Sequence, residues 1–85
     1  MQEFKHVIRN SQGIYAETAG ILVKAACEFE SRMELCKRGK TGDLKHIFSV
    51  VALGVQEGDE VSVIIEGVDE VKAAKRIEDV FKQRL

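Results

Sequence analysis

Residues 58–85 read "GDEVSVIIEGVDEVKAAKRIEDVFKQRL", and the spacing of the apolar residues changes partway through. Before Gly67 the period is two: Val61, Val63 and Ile65 face one way, Ser62 and Ile64 the other, which describes a strand. After Gly67 the spacing becomes three and four. Val71, Ala74, Ile77, Phe81 and Leu85 line one side of an amphipathic helix, with acids early and bases late, as the helix dipole prefers. A strand feeding directly into a helix that must cover it sets the pattern for the whole chain.

Upstream the same alternation of periods recurs. "EFKHVIR" (residues 3–9) is a half-buried strand with Phe4, His6 and Ile8 on its inner face. From Ala16 a helical stripe of Ala19, Leu22, Ala26 and Phe29 runs with Ala25 beside it. "RMELCKRGKTGDL" (residues 32–44) returns to strand period with Met33 and Leu35 inward, and Arg38-Gly39 suits a two-residue hairpin turn. "HIFSVVAL" (residues 46–53) is a short helix closed by Gly54 as a left-handed cap. The order is βαββαβα. It predicts an α+β domain spanning residues 1–85, with four antiparallel strands, three helices on one face and an open second face.

Composition narrows the function. Thirteen basic and fourteen acidic side chains among 85 residues nearly cancel, which points away from nucleic acid. No apolar run is long enough to span a membrane, and "MQEFKHVIRN" has no signal-like apolar region, so a cytoplasmic protein is expected. Cys27 and Cys36 make neither a disulfide framework nor a zinc site. His6 and His46 lie far apart with no other ligand in register, so no metal and no cofactor is expected. His6 reads as a hydrogen-bonded core residue. Val7, Cys36 and Ile64 face outward and offer a route to weak self-association, with a monomer as the default.

The punctuation of the chain resembles that of HPr, the small phosphocarrier of the bacterial phosphoenolpyruvate-dependent sugar phosphotransferase system. The likeness rests on Gly13-Ile14 and Ala19 at the first helix, Gly39-Lys40 in the hairpin, and Leu44-Lys45 and Ile47 at the short helix. Leu53-Gly54, Gly58 and "EGVDEVKAA" (residues 66–74) continue it to the last helix. It implies the HPr open-faced β-sandwich over the full length. It also implies where the chemistry should be, and there the residues depart. The family places a phosphoryl-accepting histidine, an arginine and a proline where this chain has Tyr15, Glu17 and Thr18. His46 stands where many members carry a regulatory serine.

These replacements oppose phosphoryl relay. A phenol with a reference pKa of about 10 is a poor nucleophile at neutral pH. A carboxylate repels the phosphoryl oxygens that a guanidinium would bind. Glu17 in the first helical turn is expected to satisfy the anion-attracting amides from within the protein. Tyr15 is then either a partner contact or an exposed ring resting on its neighbours. A binding or regulatory protein without independent catalysis is the reading this favours. The alternative is a working phosphocarrier that uses another residue, His46 above all. Ser49 is a further candidate for phosphorylation by a kinase. The resemblance also places a protein-docking patch at Ile14, Tyr15, Ile47, Phe48 and Val51, beside Glu17 and Lys24, with Gly20 allowing close backbone approach. The family uses this region to meet acidic partner surfaces, which Glu17 should disfavour.

Overall fold

The computed structural model describes all 85 residues. Strand β1 (Gln2–Val7) is followed by helix α1 (Ala16–Ala26), strands β2 (Arg32–Lys37) and β3 (Lys40–Asp43), helix α2 (Ile47–Val51), strand β4 (Glu60–Glu66) and helix α3 (Glu70–Arg84). This is the expected βαββαβα order. The strands form one antiparallel sheet in the order β1-β4-β2-β3. Register puts Phe4 opposite Val63 and Leu35 opposite Val63 from the other side, so the inward residues of three strands form continuous rows. Helices cover that face. No helix is long and apolar enough to cross a membrane.

The core fills the space between sheet and helices. Leu22, Leu35, Val63, Ile65, Ile77 and Phe81 are sealed from solvent. Phe81 is the largest of them and meets Phe4 edge-on, with ring centroids 5.7 Å apart. The buried side of α3 differs from the sequence reading: it runs through Ala73, Ile77, Val80 and Phe81, while Val71 is 68% exposed. Val71 precedes Ala73 by two residues, a rotation of about 200° on a helix, so the two cannot face the same core. Burying the 73–77–80–81 face turns Val71 to solvent.

The turns explain how the elements stay in register. Arg38 and Gly39 both have positive φ, 48° and 81°, the two-residue hairpin geometry whose twist matches that of the strands. The loop before β4 is pinned by Asp59, whose Oδ2 accepts the Gln56 N–H at 2.8 Å and lies 3.0 Å from Lys37 Nζ. That lysine also donates to the Gly54 carbonyl at 2.7 Å. At the other end of the sheet, Asp69 accepts the Glu30 and Ser31 N–H groups, both at 2.9 Å, and the Ser31 hydroxyl. One carboxylate thereby joins the α1–β2 connection to the start of α3.

The open face of the sheet does not carry an apolar patch. Ile64 is flanked across the strands by Glu3 and Glu34, Cys36 by Ser62 and Thr41, and Val7 by Glu60. The expected self-association surface is thus broken into isolated residues by polar neighbours. Cys36 is not primed for reaction either: burial, then the nearby Glu34 and Glu3 carboxylates, push its thiol pKa up.

Candidate functional site

The entrance to α1 is built from Gly13. Its φ is +65°, and a Cβ there would fall 2.2 Å from the Val55 carbonyl oxygen, so only glycine allows the two backbones to meet. The next residue completes the contact, with Ile14 N–H donating to the Val55 oxygen at 3.0 Å. This close docking drives the Ile14 side chain into the core, where it is 5% exposed. Ile14 therefore supports the entrance from beneath and does not belong to an exposed docking patch.

Tyr15 is the N-cap of α1, in extended conformation, and its side chain makes no capping bond. A phenol is too long and rigid to turn back onto the first amides. Thr18 supplies the reciprocal half of a capping box, its Oγ1 accepting the Tyr15 N–H at 3.0 Å. The buried Thr18 hydroxyl also lies 3.2 Å from the Tyr15 carbonyl. Glu17 is exposed in the first turn, and its Oε1 lies 3.5 Å from the Tyr15 hydroxyl. The carboxylate turns toward the phenol, and the expected bond from Glu17 back to the first-turn amides is not made. Its negative charge still stands in the first turn, in the field of the positive helix end.

Glu17, Gly20 and Lys24 follow at spacings of three and four and share one face of α1. A Cβ on Gly20 would have Ile47 Cδ1 as its nearest neighbour, 4.0 Å away. Gly20 therefore marks where α1 meets α2. Beyond this contact Ile47 (36% exposed), Val51 (40%) and Phe48 (86%) remain open to solvent. A phenylalanine left this free on a five-residue helix contributes almost nothing to the core. Lys24 is exposed at the last turn of α1.

The two other candidates for phosphorylation sit at α2. His46 is its N-cap and is exposed, with Nε2 3.5 Å from an Asp43 carboxylate oxygen. The neighbouring Lys45 is committed elsewhere, its Nζ donating to the Phe29 carbonyl at 2.7 Å. A phosphoryl group on His46 would face the Asp43 carboxylate, with the adjacent Lys45 already engaged. Ser49 is not a free surface serine: it is half-buried, and its Oγ accepts the Asp43 N–H at 2.9 Å. It braces the β3–α2 corner. The packing there is close, since a Cβ on Gly42 would fall 2.8 Å from the Ser49 carbonyl oxygen.

His6 lies on the inner side of β1, edge-on to Phe81 with centroids 5.3 Å apart. Its Nε2 is buried and has no hydrogen-bond partner, contrary to the expectation of a satisfied core histidine. No group of three or more histidine, cysteine or acidic side chains converges as a metal site.

A four-stranded antiparallel sheet with one face under three helices, entered through a glycine-led turn at α1, defines the phosphocarrier class of open-faced α+β folds. Within that class the chain belongs to the HPr family of the phosphotransferase system: the family model "PTS HPr component phosphorylation site" matches residues 2–83. Solved structures agree. HPr-C-His from Thermoanaerobacter tengcongensis is 32% identical, with a TM-score of 0.94 over 99% of this chain and 94% of that one. The histidine-containing phosphocarrier protein of a mycoplasma is 28% identical, with a TM-score of 0.94 over 96% and 93%. The Bacillus subtilis catabolite repression protein Crh, crystallised as a swapped dimer, is 30% identical, with a TM-score of 0.79 over 100% and 98%.

Proposed function

We propose that this HPr-family protein is a binding or regulatory variant that docks a protein partner and does not carry phosphate at position 15. The observation that carries this reading is the pairing at the α1 entrance: a phenol at the N-cap with a carboxylate 3.5 Å from its hydroxyl. Phosphoryl transfer to that position would need a nucleophile that is deprotonated or neutral-basic near pH 7. It would also need cations to gather the incoming charge. The entrance supplies a weakly acidic alcohol and a negative charge.

Docking, in contrast, is well provided for. Ile47, Phe48 and Val51 give an apolar centre. Tyr15 adds an aromatic ring, while Glu17 and Lys24 give a charged rim along the face of α1 marked by Gly20. An aromatic anchor within a polar border is how protein interfaces are built. Glu17 selects against the acidic surfaces that a cationic entrance would attract and so redirects partner choice. The fold serves regulation in a similar chain, since Crh takes its name from catabolite repression. On this reading the protein works in the cytoplasm as a monomer.

Incubation with phosphoenolpyruvate and enzyme I, followed by intact-mass measurement before and after mild acid, tests the proposal. The expected result is an unmodified chain. An acid-labile phosphoryl group mapped to His46 would overturn it in favour of a relocated phosphocarrier. A kinase-dependent, acid-stable phosphate on Ser49 would instead establish regulation by phosphorylation.

A further inference from the structure

Tyr15 and Glu17 have side chains at the start of α1 that the fold itself does not use. Thr18 supplies the capping contact there, its Oγ1 accepting the Tyr15 N–H at 3.0 Å, and the phenol makes no capping bond. The ring is half-buried and stacks on no other aromatic side chain, since both ring contacts in the protein lie at Phe81. Glu17 is exposed and takes part in none of the ion pairs. The one hydrogen-bond partner of its carboxylate is the Tyr15 hydroxyl, 3.5 Å from Oε1. A carboxylate without a cation thus stands beside a partly open ring, and the neighbouring helix α2 exposes Ile47, Phe48 and Val51.

We propose that Tyr15 and Glu17 form a binding site for an arginine side chain of the protein partner. This rests on the docking reading and adds to it the chemistry of the partner's contact with α1. Guanidinium is planar and forked: its face lies on an aromatic ring while its N–H groups reach a carboxylate beside that ring. The 3.5 Å between the Tyr15 hydroxyl and Glu17 Oε1 brings ring and carboxylate close enough for one guanidinium to meet both. A lysine ammonium, a strongly hydrated point charge, gains less from the ring. The helix start carries about half a positive charge that opposes any cation, and the full charge of Glu17 outweighs it. An acidic partner residue meets repulsion at the same place. Apolar residues flanking the arginine would seat on Phe48 and Ile47, and arginine and aromatic side chains are the ones that most often anchor protein interfaces.

The probe is a short amphipathic helical peptide with leucines on one face and a single central arginine. It is compared with the same peptide carrying citrulline, lysine or glutamate in that place, citrulline keeping the shape of arginine without its charge. Each is titrated into the ¹⁵N-labelled full chain, reading the amides of Tyr15, Ala16 and Glu17 and, separately, those of Phe48 and Val51. The expected result is saturable binding in which arginine exceeds citrulline by about fivefold or more, the combined effect of an exposed ion pair and an exposed cation–π contact. Lysine should fall between them and glutamate below both. Glu17→Gln, a change at an exposed side chain, should bring arginine and citrulline to within about twofold of each other. Equal affinities for these two peptides, with shifts confined to Phe48 and Val51, would overturn the arginine site and leave the docking reading standing. An arginine preference that Glu17→Gln leaves unchanged would overturn it too. So would the absence of saturable shifts at residues 15–17 with the arginine peptide, whereas the docking reading fails separately, on the phosphoenolpyruvate assay.

Discussion

The hydroxyl of Tyr15 lies 3.5 Å from a carboxylate oxygen of Glu17, two residues later in the first turn of α1. On the proposed reading this is where an incoming phosphoryl group would have to be received. The pair puts a phenol and a carboxyl group there, and the consequences can be separated by substitution.

Tyr15→His alone restores a nucleophile but leaves the repelling carboxylate. Adding Glu17→Arg converts that repulsion into a charge-assisted hydrogen bond of about 1.5–3 kcal/mol, roughly a ten- to hundredfold effect. Phosphorylation by enzyme I and phosphoenolpyruvate, followed as acid-labile mass, should therefore be far greater for Y15H/E17R than for Y15H. Equal labelling of the two variants would show that Glu17 does not control the entrance.

Ile14 and Phe48 are expected to behave in opposite ways. Ile14 is buried, so Ile14→Ala should cost about 2–5 kcal/mol of stability in denaturant unfolding. Phe48 is almost fully exposed, so Phe48→Ala should change stability by no more than about 0.5 kcal/mol. On the docking proposal, Phe48→Ala should weaken partner binding by about 2 kcal/mol or more in calorimetric titration. An Ile14→Ala protein of undiminished stability would contradict its placement beneath the entrance.

Gly42 offers a test of the corner that presents α2. A Cβ there meets the Ser49 backbone, which cannot yield as a flexible side chain would. Gly42→Ala should destabilise by about 1–3 kcal/mol in urea unfolding and displace α2, weakening partner binding as well. Unchanged stability would show that α2 is not held this closely.

Acid should unfold the protein partly through two carboxylates. Hydrogen bonds from the Ser31 hydroxyl and the Glu30 N–H hold Asp69 below its usual pKa, and the Gln56 N–H and Lys37 do the same for Asp59. A lowered native pKa gives stability that is complete above the unfolded value of about 3.9. It is lost as pH falls through the native values. Melting temperature should therefore fall steeply below about pH 4, and Asp69→Asn should melt lower at pH 7 with a shallower acid dependence. An acid dependence identical to that of the unsubstituted chain would rule out the Asp69 contribution.

Most of the fold could be read from residue spacing, because alternation in "EVSVIIE" and the three-four rhythm around Ile77 report local geometry directly. The turns were equally open to reading, since Arg38-Gly39 and Gly54 announce positive φ. Val71 misled because a helix has two plausible apolar edges, and only the packing on the sheet selects Ala73 over Val71. Ile14 misled for a related reason. Its neighbour Gly13 signals a turn, but nothing local says that the turn is pressed against Val55. The Asp69–Ser31 bridge joins residues 38 positions apart, beyond the reach of any local pattern. Tyr15 and Glu17 lie within one helical turn, so their proximity follows from spacing, while the direction taken by the Glu17 side chain does not.

The central claim is that negative charge in the first turn of α1 keeps phosphate away from its free amides. Titrating the ¹⁵N-labelled protein with inorganic phosphate, and reading the amides of Ala16, Glu17 and Thr18, tests this most directly. The account predicts no saturable shift at these three amides in the unsubstituted chain and a saturable shift in Glu17→Gln. Saturable phosphate binding at those amides with Glu17 in place would contradict it.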